Sequence, residues 1–176
     1  MVLASAHSRA RSWTNPGKWW QALSKRVPSM AVGKGSVGEA PITAAADALA
    51  NLCPDLQDWP QRWRGETSDV VLGERILECF KPFLLQLLGQ GLTTTTLRRH
   101  RDHLWMLGGE IIRRCYDEPE LRHQPARTIV LRFIDDECDP LIWPEISEQQ
   151  QNAFDGTCRK LHQFLVVSAK RPAQHP

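Results

Sequence analysis

The sequence predicts an all-α fold, a compact bundle of about five helices behind a basic N-terminal arm, and three observations lead there. Apolar residues after position 42 recur mostly at helical spacing. Hydroxyl residues that can cap a helix start, and Gly or Pro that can stop one, bracket those apolar runs. The stretch richest in β-branched residues, ARTIVLRFID, also places its apolar residues at 129, 130, 133 and 134, a helical spacing. With 176 residues and 41% hydrophobic content, the chain suits a single core, expected over residues 42–166.

Residues 1–41 form the arm. Arg9, Arg11, Lys18, Lys25, Arg26 and Lys34 occur before position 38 without one Asp or Glu, although the whole chain carries a net charge of only +2. Such a Ser- and Gly-bearing, acid-free segment predicts a flexible arm, with an organellar transit peptide or an overextended translation start as alternatives. Pro41 and Thr43 then open an Ala-rich helix that Pro54 ends, since proline lacks the amide a helix needs. Residues 54–65, PDLQDWPQRWRG, read as a connection with about one helical turn. Trp59 and Trp63, four apart, would share a face of it.

Ser68 or Asp69 caps the next helix, whose Leu72, Ile76, Phe80, Phe83, Leu84 and Leu87 keep a helical period and make it the central core element. Pro82 should kink or split it, at a cost of about 3 kcal/mol. Gly89 and Gly91 end it. Thr93 or Thr96 caps a helix running to about Tyr116. Stepping about 100° per residue gathers Leu97, Leu104, Leu107, Gly108, Ile111, Ile112 and Cys115 into one arc, places Arg98, Arg99, Asp102, Glu110 and Arg113 opposite, and leaves Arg101 within the apolar arc and His100 at its border. Asp102 is expected to neutralise part of Arg98 and Arg99, and Glu110 to pair with Arg114. Gly108 and Gly109 each cost about 1 kcal/mol relative to Ala, so a close neighbour is expected at the buried Gly108 and a bend at Gly109.

Within ARTIVLRFID, residues 127–134 are read as helix, with strand as the alternative. DDECDP at 135–140 is an acidic turn. Ser147 and Gln150 fit the capping-box pattern for a last helix to about Val166, with Phe154, Cys158, Leu161 and Leu165 on one face. Residues 167–176 should fray.

No catalytic or metal pattern is complete. GKGS at Gly33–Ser36 lacks the hydroxyl that follows the lysine of a phosphate-binding loop, and DDECDP lacks the glycine and final carboxylate of a calcium loop. His100, His103, Cys158 and His162 could converge on zinc only if two helix faces met, and no metal or cofactor is expected. Five separated cysteines without a paired motif predict reduced thiols and a cytoplasmic setting. No run approaches the roughly 18 apolar residues of a membrane span. The remaining feature is the basic start of the fourth helix: Arg98, Arg99, His100 and Arg101, with Arg113 further along, are the candidate DNA-binding residues.

The helix, glycine and threonine-capped helix over residues 76–112, with GLTTTTLRRHRDHL at its centre, resembles the helical core-binding (SAM-like) domain of tyrosine recombinases, the phage-integrase family. That resemblance implies a domain that grips DNA. It does not imply recombination, because the family's catalytic Arg, Lys, His and Tyr set has no counterpart and Tyr116, the only tyrosine, closes the same helix. LWMLGGEIIR and FDGTCRKLHQFL also look like segments of uncharacterised small bacterial proteins associated with mobile elements. The resulting expectation is a non-enzymatic, DNA-associated accessory protein. The second expectation is an antitoxin-like or adaptor module that docks a protein partner through exposed Trp and its amphipathic C-terminal helix.

Overall fold

The structure, a computed structural model, describes residues 41–135, 142 and 146–169. The arm, most of the acidic turn, the end of the tail, Cys138 and four tryptophans (Trp13, Trp19, Trp20 and Trp143) lie outside the described residues. The fold is all-α, with no strand among the described residues. Helix α1 covers Pro41–Leu52, a 3-10 turn covers Leu56–Asp58, and α2 covers Trp59–Trp63. The long α3 (Asp69–Gly89) and α4 (Thr94–Arg114) follow, then a second 3-10 turn (Pro119–His123), α5 (Ala126–Phe133) and α6 (Glu148–Ala169). Helix α3 packs against α1, α2, α4 and α5, while α4 meets every other helix. No described helix is long and apolar enough to cross a membrane.

Residues 127–133 are helical rather than extended, with Ile134 as the C-cap, because Ile129 and Val130 both bury completely against the bundle, as the 129/130/133/134 spacing requires. Helix α3 runs unbroken through Pro82. The proline removes one internal bond at about 3 kcal/mol. Burial of the neighbouring Phe80, Phe83 and Leu84, at about 1.5–3 kcal/mol each, outweighs it.

The helix boundaries follow local chemistry. Gly91 takes φ +67°, the left-handed conformation that glycine adopts without strain, and turns the chain from α3 to α4. Thr93 is the N-cap of α4: the Thr96 amide donates to its hydroxyl at 3.3 Å. At α6 the capping box is reciprocal. The Ser147 amide donates to Gln150 Oε1 at 2.9 Å, and the Gln150 amide donates to Ser147 Oγ at 3.2 Å. Helix α6 continues three residues past the expected end, to Ala169.

The two tryptophans of α2 share a face, with ring centroids 5.7 Å apart, and that face is the core: Trp59 is 1% exposed and Trp63 2%. The Trp63 indole N–H donates to the Trp105 carbonyl at 2.9 Å, which fixes the ring across α4. The close neighbour expected at Gly108 is this ring. A Cβ there would stand 2.3 Å from Trp63, inside any real contact distance, whereas at Gly109 the nearest Trp63 atom would be at 3.4 Å.

The junction of α3 with the C-terminal end of α4 is organised by Asp69, which is fully buried. Ser68 makes no capping bond; the Asp69 carboxylate instead accepts the amides of Gly65 (2.9 Å) and Glu66 (2.8 Å), the Tyr116 hydroxyl (2.5 Å) and Arg122 Nη1 (2.5 Å). Burial pushes this carboxyl up, but the Tyr116, Glu66, Arg122 and Gly65 donors outweigh burial and hold it below the usual range. Tyr116 is pushed up to about 12 by burial and by Asp69. Cys53, Cys115 and Cys158 are buried and Cys79 half-buried, all as free thiols. Burial pushes Cys53 up to about 12, so it carries no thiolate at neutral pH.

Candidate nucleic-acid interface

The first two turns of α4 sort their side chains by helical phase. Leu97, His100, His103 and Leu104 turn inward, and Arg98 and Arg99 turn outward into solvent. Among the described residues neither arginine forms an ion pair. Helix α6 brings a further cation to the side of α4 that carries Arg99. Lys160 is exposed, and its Nζ lies 3.5 Å from His100 Nε2. Arg99 and Lys160 both sit near enough to His100 to disfavour its charged form, so a short cationic ridge crosses from α4 to α6.

Beneath the ridge, the Nδ1 atoms of His100 and His103 lie 2.8 and 2.7 Å from Thr157 Oγ1, which is itself 3.4 Å from the Ala153 carbonyl. One hydroxyl has one hydrogen and two lone pairs. All three contacts are satisfied when both rings donate from Nδ1 and the hydroxyl donates to Ala153. Each ring then carries a proton on Nδ1; when neutral it leaves Nε2 bare, and His100 Nε2 accepts from Lys160. Burial first, then Lys160 and Arg99, pushes His100 down to about 4; burial, His100 and Arg99 do the same to His103.

The expected site residues therefore separate. Arg98 and Arg99 are displayed together. His100 is buried and turns its Nδ1 inward, so in this protonation state it offers an external anion no proton. Arg101 is drawn back: its Nε and Nη2 donate to Asp102 Oδ1 at 2.8 and 2.6 Å, and its Nη1 donates to the Leu52 carbonyl at 3.1 Å. A guanidinium in the apolar arc has thus found a half-buried carboxylate and the C-terminal carbonyl of α1, where a cation is favourable. Asp102 consequently serves Arg101 first, with a weaker attraction to Arg98. Burial pushes its carboxyl up although Arg101 opposes this. Arg113 lies about 21 Å further along the helix by its rise per residue and is not brought to the cluster. It donates to Glu110 at 2.8 and 2.7 Å, and Arg114 joins the same carboxylate at 2.7 Å.

Lys160 is the member that sequence reasoning missed. Nothing in the order of residues pairs position 160 with position 100; only the packing of α6 on α4 does. The zinc grouping does not assemble, since both histidines turn to Thr157 and no cluster of three or more candidate ligands occurs among the described residues. A groove of about 470 Å³ lies at the opposite end of α4, lined by Val71, Arg75, Tyr116, Arg122 and His123 among others. Its guanidinium groups are already engaged, Arg122 with Asp69 and Arg75 with the carbonyls of Arg122 and Gln124. Comparison of the chain with protein families, with curated proteins and with solved structures finds no match.

Proposed function

We propose that this protein is a non-enzymatic, cytoplasmic, DNA-associated accessory protein that holds the phosphate backbone through Arg98, Arg99 and Lys160. The observation that carries the reading is that these three cations are exposed, come from two helices and form no ion pair among the described residues, while the neighbouring Arg101 and Arg113 are neutralised by Asp102 and Glu110. Contacts to phosphate oxygens position a protein on a duplex without reading its sequence, and two helices fixed by a buried hydrogen-bond network present such contacts at a fixed spacing. The resemblance of residues 76–112 to a recombinase core-binding domain points the same way, and a mobile-element setting rests on the separate likeness of LWMLGGEIIR and FDGTCRKLHQFL to small bacterial proteins. The acid-free segment over residues 1–38 would add sequence-independent attraction.

The test is a titration of the full chain with a short duplex of arbitrary sequence at two salt concentrations. Binding should weaken steeply as salt rises, and Arg98→Glu/Arg99→Glu and Lys160→Glu should each reduce the slope by roughly one unit per contact removed, with unfolding transitions unchanged. Failure of the unaltered chain to bind at low salt, or charge reversals that leave binding intact, would overturn the reading.

Among the described residues, docking a protein partner through tryptophan has less support. Trp59 and Trp63 belong to the core, Trp105 is half-buried, and the apolar face of α6 is used against the bundle through Phe154, Cys158, Leu161 and Leu165.

A further inference from the structure

We propose that His100 is a further phosphate-binding group of this surface: when an anion is held by Arg99 and Lys160, His100 Nε2 takes a proton from solvent and donates it, as a hydrogen bond, to a phosphate oxygen. This rests on the reading just given and adds a proton to it.

The geometry behind it is the arrangement at the edge of the α4–α6 seam. His100 is held from within by Nδ1 on Thr157, which leaves Nε2 as its only other polar atom, and that atom faces the ammonium of the exposed Lys160 at 3.5 Å. The ionisable groups that act on His100 are Arg99 and His103 from α4 and Lys160 from α6; Thr157 contributes the neutral hydroxyl, and Phe154 packs edge-on against His103. No carboxylate among the described residues is within reach to favour the imidazolium. In the free protein burial, and then the repulsion of Lys160 and Arg99, excludes a proton from Nε2. A phosphate between them cancels that repulsion and supplies the acceptor an imidazolium needs. Protonation at Nε2 leaves the Nδ1–H bond to Thr157 in place, so the switch requires only that the Lys160 ammonium swing from the ring to the anion. The linkage is reciprocal: an anion that raises the affinity of His100 for a proton must bind more tightly as pH falls toward the free-state value of about 4.

The experiment follows the His100 ring resonances of the full chain by NMR across pH, free, with a duplex of arbitrary sequence, and with inorganic phosphate. The duplex should raise the His100 midpoint by at least about one unit, which corresponds to about tenfold tighter binding across the same interval. Lys160→Gln, at an exposed position, should raise the midpoint of the free protein from about 4 toward the ordinary 6.5. A duplex that binds while the midpoint stays put overturns this inference and leaves the DNA reading standing. A rise with inorganic phosphate, in a protein that does not bind duplex, sustains His100 as a phosphate ligand and overturns the DNA reading. Failure of the chain to bind either ligand removes both, and a Lys160→Gln midpoint equal to that of the unaltered chain overturns this inference, since the ammonium then does not govern the ring.

Discussion

The two ends of α4 bury polar groups in opposite ways. At the C-terminal end, Asp69 is buried as an anion and its charge is answered by Arg122, by the Tyr116 hydroxyl and by two amides. At the N-terminal end, His100 and His103 are buried as neutral rings around a single hydroxyl. The first arrangement locks a charge in place, because every lone pair that matters has a donor and the counter-ion is at hand. The second locks a protonation state, which solvent conditions and a nearby anion can change. A buried carboxylate with four donors serves architecture. A buried imidazole beside a surface ammonium is open to regulation.

The largest effect should come from removing the locked charge. Asp69→Ala strands Arg122, the Tyr116 hydroxyl and the amides of Gly65 and Glu66, and should cost about 3–5 kcal/mol in urea unfolding. A loss under about 1 kcal/mol would mean that the junction relaxes around water and that the contrast with the other end is false. Thr157→Val keeps the side-chain shape but deprives both imidazoles of their shared partner. It should cost about 1–3 kcal/mol, less than Asp69→Ala because no charge is stranded.

Acid tests the same contrast by titration rather than by substitution, one pH unit at a time. His100 and His103 titrate near 4 when folded and near 6.5 when unfolded, so between those values the unfolded chain binds more protons. Their stabilisation is complete above 6.5 and drains away as pH falls toward 4, at up to about 1.4 kcal/mol per pH unit for each ring. Asp69 is shifted down, so its contribution is present above 3.8 and is lost only as pH falls through its lower folded value. Unfolding free energies measured from pH 7 to pH 4 should therefore decline while the Asp69 junction is still intact. A flat profile over that interval would sink the neutral-histidine assignment.

What the sequence disclosed is what neighbours within one helix decide. Ser147 with Gln150, a threonine cap at Thr93 and the inward arc from Leu97 to Cys115 are set within three or four residues of one another or by a single helical period, and the structure realises each of them. Gly108 announced a close neighbour but not which one, since Trp63 lies 45 residues away in a segment too short to show a period. For the same reason the burial of Trp59 and Trp63 could not be read from PDLQDWPQRWRG. Arg101 was legible as a problem, a guanidinium on an apolar face, and its solution required knowing that α1 ends beside α4. The Thr157 hydroxyl is 57 and 54 residues from the two histidines it joins, and Asp69 is 47 and 53 residues from Tyr116 and Arg122. Contacts of that range arise from how helices stack, which amphipathic phase alone leaves undetermined.

The indole of Trp63 and the bare backbone of Gly108 share one volume, with the ring anchored from the other side by the Trp105 carbonyl. A side chain can therefore grow at position 108 only as the one at position 63 shrinks. Change at either place is tied to the other, and the spacing of α2 on α4 is inherited as a matched pair rather than as two independent residues.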